Sequence, residues 1–167
     1  MFGKLFQKKA VKSEEIYAPI SGDSMVIDKV PDPVFSEKMM GEGMAIDPDI
    51  RTHTIVAPVG GEIIQLAATN HAFGIRSALG EEILVHIGLD TVELNGAGFE
   101  SLAKMGDHVQ AGQPIMKADF DYIKKQEKGT VVPIVITNTS ENKFEFDWSE
   151  PGHVYAGKTV LFTSKLK

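Results

Sequence analysis

Five histidines and no cysteine set the chemistry open to this 167-residue chain. Without thiols there is no disulfide framework, no thiolate nucleophile and none of the usual ligands of a structural zinc site, so chemistry falls to imidazole, carboxylate and hydroxyl groups. The histidines differ in setting. His108 and His153 open the near-identical segments His108-Val-Gln-Ala-Gly112 and His153-Val-Tyr-Ala-Gly157, which points to a shared structural turn, and His53 between two threonines reads as structural too. His86 lies in Glu82-Ile-Leu-Val-His-Ile-Gly88, an apolar strand that ends where Asp90 and Thr91 begin a turn. Strand alternation puts Leu84, His86 and Gly88 on one face and Ile83, Val85 and Ile87 on the other. If the second face is core, His86 stands exposed on a shelf at a strand end, where a rigid sheet hands residues to a functional loop.

His71 sits in Ala68-Thr-Asn-His-Ala-Phe73, with Thr69 two residues away on the same side of an extended chain. A threonine hydroxyl there can hydrogen-bond the imidazole and fix its tautomer. Two histidines meeting on one face suit phosphoryl transfer: one ring nitrogen attacks phosphorus while the other ring donates a hydrogen bond to the incoming oxygens. The same pair plus a carboxylate such as Asp90 would also hold zinc, without closing a four-ligand shell. His86 taken alone reads better as a partly buried histidine satisfied by its neighbours than as a reactive group.

The elements that must position these groups are short strands. Ser24 to Val30, Ile63 to Leu66, Glu82 to Ile87, Val131 to Thr137 and Thr159 to Phe162 are rich in β-branched residues and separated by Gly and Pro clusters. Helix is minor, with Asp119 to Lys128 the best candidate before Gly129. Ala18-Pro-Ile-Ser-Gly22 returns as Ala57-Pro-Val-Gly-Gly61, and the His-Val-x-Ala-Gly segment also occurs twice, in the same order. The expectation is an all-β fold: an antiparallel β-sandwich or distorted barrel built from a duplicated motif, with a few short helices.

A hydrophobic content of 43% over 167 residues is enough for one domain with its own core. The formal charge of -6 disfavours nucleic acid, because each phosphate contact needs a Lys or Arg. No apolar run approaches the roughly 20 residues of a membrane helix, and a cytosolic location is expected. Residues 1–14 read as a flexible tail and 15–167 as the domain. Within the tail, Phe2, Leu5 and Phe6 fall at helical spacing among lysines, a weak amphipathic signal for contact with an anionic membrane surface; a frayed, solvated tail is the simpler reading.

Several longer stretches carry a resemblance. Ala57-Pro-Val-Gly-Gly61, Thr69-Asn-His-Ala-Phe73 and Val85-His-Ile-Gly-Leu-Asp-Thr-Val-Glu-Leu94 closely resemble the glucose-family enzyme IIA of the bacterial phosphoenolpyruvate-dependent sugar phosphotransferase system. So do Val30-Pro-Asp-Pro-Val-Phe-Ser-Glu-Lys38, Gly41-Glu-Gly-Met-Ala-Ile46 and Gly106-Asp-His-Val-Gln-Ala-Gly112, and the similarity runs from about Tyr17 to the C-terminus. The resemblance implies that His86 accepts a phosphoryl group through Nε2, that His71 hydrogen-bonds it, and that Thr69 orients His71. It implies carboxylates near the site at Asp32 and Asp90, and a docking patch of Val34, Phe35, Met39 and Met40. The implied donor is phosphorylated HPr and the implied acceptor the cysteine of a IIB domain of a sugar permease. No cofactor is required, although zinc held by His71 and His86 can bridge to a regulatory partner, and a monomer is expected. Ala67 and Leu84 stand where larger rings occur in the family, and Glu141 to Tyr155, with Trp148, diverges from it. The competing reading is a non-catalytic module like a biotinyl or lipoyl carrier, which would need a lysine at a hairpin tip; no clear motif of that kind is present.

Overall fold

The computed structural model describes residues 12–167; the apolar stripe of Phe2, Leu5 and Phe6 lies outside the described residues. In chain order the strands are β1 (Ser13–Tyr17), β2 (Gly22–Val26), β3 (Glu42–Pro48), β4 (Thr54–Val56), β5 (Gly61–Leu66), β6 (Ala72–Ser77) and β7 (Glu82–His86). They continue as β8 (Phe99–Ser101), β9 (His108–Val109), β10 (Pro114–Ala118), β11 (Val132–Ile136), β12 (Phe144–Trp148), β13 (His153–Val154) and β14 (Val160–Leu166). Two short helices, α1 (Pro33–Ser36) and α2 (Phe120–Lys125), complete the regular structure with three single 3₁₀ turns.

All pairings are antiparallel. One eight-stranded sheet runs β13-β2-β3-β11-β7-β6-β5-β9, and two three-stranded sheets, β1-β14-β12 and β4-β10-β8, pack around it. The large sheet reads the same from either edge: a two-residue strand, a strand opening at a repeated glycine, the strand after it, and a central strand. The duplication seen in the sequence is thus a duplication of pairing. Gly22 pairs with Val154 and Asp23 with His153, just as Gly61 pairs with Val109 and Glu62 with His108. The Gly157 and Gly112 amides donate to the Ala18 and Ala57 carbonyls, each at 2.8 Å. At Gly22 an added Cβ would collide with the Asp47 carbonyl oxygen, and at Gly61 with that of Arg76, so close strand approach demands glycine at both.

The main core lies between the large sheet and the two small ones, around Phe73, Phe120 and Phe162 and inward residues such as Ile63, Ile83, Val85 and Ile134. Burying each such side chain contributes roughly 1.5–3 kcal/mol. Near the centre the other face of the same sheet is buried as well: Ala45, Ala72, Leu84 and Val135 pack under Ile27, Val30 and Phe35 from the β2–β3 connection.

Three expectations about local structure change. The strand anticipated to Val30 stops at Val26, because Ile27–Lys29 coil into a 3₁₀ turn closed by Val30 N–H donating to the Ile27 carbonyl at 3.1 Å. The expected helix contracts to α2: Asp119 Oδ1 caps it by accepting from Tyr122 N at 3.0 Å, and Glu127 in a left-handed conformation (φ 61°) ends it before Gly129. Ser13 and Glu14, placed in the tail from sequence, belong to β1 and pair with Lys165 and Ser164 of β14. Among the described residues no helix is long and apolar enough to cross a membrane.

Candidate functional site

His86 ends β7, and across the ladder it faces Ala72, the first residue of β6. His71 immediately precedes Ala72, so antiparallel register alone delivers the two imidazoles to one place. Their centroids lie 5.1 Å apart, edge to face, with planes at 77°. The Ile87 amide donates to the His71 carbonyl at 2.7 Å and ties the two histidine segments together.

Each ring has one nitrogen committed. His86 Nδ1 is 2.7 Å from the Gly88 carbonyl oxygen, which can only accept, so Nδ1 carries the proton and Nε2 keeps its lone pair. His71 Nδ1 is 2.6 Å from Thr69 Oγ1. With the threonine as donor, His71 carries its proton on Nε2 and can donate from there. Burial lowers the pKa of both rings: for His71 the neighbouring His86 adds to the effect, whereas for His86 the Gly88 carbonyl and then Asp32 and Asp90 oppose it. Both rings are therefore neutral at pH 7, the state in which imidazole is a nucleophile.

The loop behind His86 is tightly built. Gly88 has φ 82°, and a Cβ there would sit 2.5 Å from Thr91 Cγ2 and 2.7 Å from the Gly129 carbonyl oxygen. Thr91, fully buried, donates its hydroxyl to the Ile87 carbonyl at 2.7 Å, and Leu89 N–H donates to the Gly129 carbonyl at 2.9 Å. Together these hold the Gly88 carbonyl against His86. In sequence Thr91 read only as a turn residue and Gly129 only as a helix stop; their joint hold on the Gly88 loop appears once the chain is folded.

The structure alters two expectations around this pair. His86 is not on an open shelf: it is only partly exposed, and Phe35 lies against it with ring centroids 5.0 Å apart. Phe35, assigned to the docking patch by resemblance, is 4% exposed and forms the wall of the site, because α1 folds over the sheet. Val34, Met39 and Met40 do stay accessible at 39%, 68% and 36%. Asp32 is half-buried and caps α1, its Oδ1 accepting from Val34 N at 3.0 Å, while Asp90 is exposed in a left-handed conformation beyond Gly88. Ala67 packs against the second apolar layer and Leu84 is buried within it. Two imidazoles do not complete a zinc shell, and among the described residues no group of three or more His, Cys, Asp or Glu is placed to hold a metal.

The other histidines lie elsewhere. His108 Nε2 is 3.8 Å from Glu62 and His153 Nδ1 is 3.1 Å from Asp23, the same acid position in each repeat, and exposed His53 directs Nδ1 at the Ala118 carbonyl, 3.2 Å away. Trp148, on the free edge of β12, packs on Phe162 and Phe146 at centroid distances of 4.8 and 5.1 Å and borders a 230 Å³ cavity with Val26, Lys38 and Met44.

Fold and site together define a sugar-permease IIA domain. The structure matches the glucose permease IIA of Mycoplasma capricolum with a TM-score of 0.84 and 35% identity, over 94% of this chain and 99% of that one. The chain belongs to the family described as phosphoenolpyruvate-dependent sugar phosphotransferase system, EIIA 1, which matches residues 14–142. It is 43% identical to the glucose-specific EIIA component of Halalkalibacterium halodurans over all of this chain and 99% of that protein. It is 45% identical to that of Staphylococcus aureus over 84% of this chain and 85% of the relative. A glucose-specific EIICBA component of Staphylococcus carnosus is 46% identical over 87% of this chain, a match covering 21% of that longer protein. The protein is a phosphocarrier component of this system.

Proposed function

We propose that His86 carries the phosphoryl group, taking it from phosphorylated HPr and passing it to the cysteine of a IIB domain. The observation that carries this reading is the committed Nδ1 of His86, which leaves Nε2 as the free lone pair beside the edge of a second neutral imidazole. In the first step Nε2 attacks phosphorus in line, the nitrogen–phosphorus bond on the donor breaks, and Nδ1 keeps its proton through the Gly88 carbonyl. In the second, a thiolate attacks the same phosphorus and His86 leaves as neutral imidazole.

His71 supplies a hydrogen bond to the phosphoryl oxygens, with Thr69 holding its tautomer; positioning and electrostatics of this kind dominate phosphoryl transfer. Asp32 and Asp90 place negative charge near the group and favour handing it on. Val34, Met39 and Met40 form an accessible apolar surface on which donor and acceptor dock in turn, methionine being adaptable to more than one shape. Glucose in the relatives' names supports a glucose-type permease as the acceptor, and the fused EIICBA relative supports a IIB partner. The carrier works as a cytosolic monomer. Regulatory proteins can use the same face, and a zinc ion there would draw His71 and His86 from this chain and its remaining ligands from the partner.

Mass spectrometry after incubation with phosphoenolpyruvate, enzyme I and HPr tests the reading. The native chain gains one acid-labile phosphate and His86→Ala gains none; a phosphorylated His86→Ala variant would sink the assignment.

A further inference from the structure

Glu81 is the one fully buried carboxyl among the described residues, at 0% exposure, and neither the site nor the docking face uses it. It lies in the turn between β6 and β7. Both of its carboxyl oxygens and the nearby Ser164 hydroxyl lack a well-formed hydrogen bond among the described residues. The groups facing it come from three elements: Glu14 of β1, Ser164 of β14, and Ser77 at the end of β6. The turn is braced by Glu81 N–H donating to Ser77 Oγ at 3.1 Å and by Asn138, whose Nδ2 donates to the Gly80 carbonyl at 2.9 Å. The Ser77 hydroxyl in turn donates to Glu14 Oε1. The charges around this cluster are already engaged. Arg76 pairs with Glu82 at 3.2 Å, and Glu62 and His108, which share a surface cleft with Glu14, face each other at 3.8 Å. Lys165, next to Ser164, is exposed.

An ionised carboxylate that is fully buried, as Glu81 is, and faces the half-buried Glu14 carboxylate with no cation between them is strongly disfavoured. One proton resolves every orphan in the cluster: a neutral Glu81 donates its O–H to Glu14, and Ser164 donates to Glu81. We propose that Glu81 and Glu14 share a single proton that fastens the first strand, β1, to the β6–β7 turn, making this latch sensitive to pH.

Burial, then the Glu14 carboxyl, push Glu81 up to about 8 from an ordinary 4.5, with Ser164 opposing. The folded chain therefore holds a proton that the unfolded chain has released over this interval. The latch stabilises fully below about 4.5, weakens as pH rises through the window, and contributes nothing above about 8. Within that window the folding constant falls by up to about tenfold per pH unit.

The experiment is a pH titration of the full chain carrying ¹³C at the glutamate carboxyls, with Glu81→Gln and Glu14→Gln beside the native protein. One glutamate resonance is expected to inflect near pH 8 in the native chain, to be missing in Glu81→Gln, and to move to lower pH in Glu14→Gln. Urea midpoints measured from pH 5 to 9 should fall more steeply for the native chain than for Glu81→Gln. Above pH 8, amide exchange in β1 should exceed that of Glu81→Gln at the same pH, while exchange in β3 and β11 stays matched. The proposal fails if every glutamate titrates below pH 6. It also fails if calcium or potassium chloride restores the native chain's stability at pH 8 but leaves Glu81→Gln unchanged, since the cluster would then hold a cation.

Discussion

The two halves of the large sheet share a pairing scheme and differ in one connection. In the first half β2 passes to β3 through the fifteen or so residues from Ile27 to Gly41, which coil, form α1 and lie over the sheet. In the second half β5 passes to β6 through the short segment Ala67–His71, which holds Thr69 and His71 and ends beside His86. One connection supplies cover and docking surface; the other supplies chemistry. The lesson is that a duplicated scaffold can divide labour through loop length, leaving its strand register unchanged.

After the complete loss expected of His86→Ala, the hardest strain on this comparison comes from its shared glycines. Gly22→Ala and Gly61→Ala each force a methyl group into a carbonyl oxygen of the neighbouring strand and should each destabilise by about 3 kcal/mol. Denaturant midpoints check this, and a harmless substitution in one half would break the equivalence. His71→Gln retains a donor, so phosphate should still load while transfer to IIB falls roughly a hundredfold; unchanged transfer would show that the short connection does no chemistry. Thr69→Val frees the His71 tautomer, and onward transfer should slow about tenfold, with the Nδ1 and Nε2 ¹⁵N shifts of His71 reporting the lost preference.

The long connection is tested differently. Met39→Asp should weaken HPr docking, raising KM several-fold while kcat and the urea midpoint hold, because the side chain is 68% exposed. Acidification acts on the chemistry of both rings. Since burial lowers their pKa values, loading should hold at neutral pH and fall only on acidification beyond the range where an ordinary imidazole titrates, as Nε2 of His86 takes a proton. A decline beginning above pH 7 would contradict the neutral pair.

What could be read in the sequence followed from local pattern. Apolar β-branched runs located β5, β7 and β11, and the two glycine repeats announced the internal symmetry. Alternation along Glu82–His86 correctly separated Val85 from His86, but it describes one strand and knows nothing of what arrives from elsewhere; the ring against His86 is Phe35, some fifty residues earlier. Ile27–Val30 resembled strand because its two apolar residues are β-branched, yet Ile27 and Val30 are spaced for a tight turn. Nothing in the sequence distinguishes Glu81 from Glu82, and only the docking of β1 and β14 separates the buried one from its paired neighbour.

Trp148 is the sole indole of the chain. It is 37% exposed, rests on Phe162 of β14 and shares a cavity with Lys38 at the close of the long connection. Its emission is therefore a built-in optical gauge of that corner. A shift in colour on adding HPr or a IIB domain would time their arrival without a dye, provided excitation is set to the red of the band of the three tyrosines.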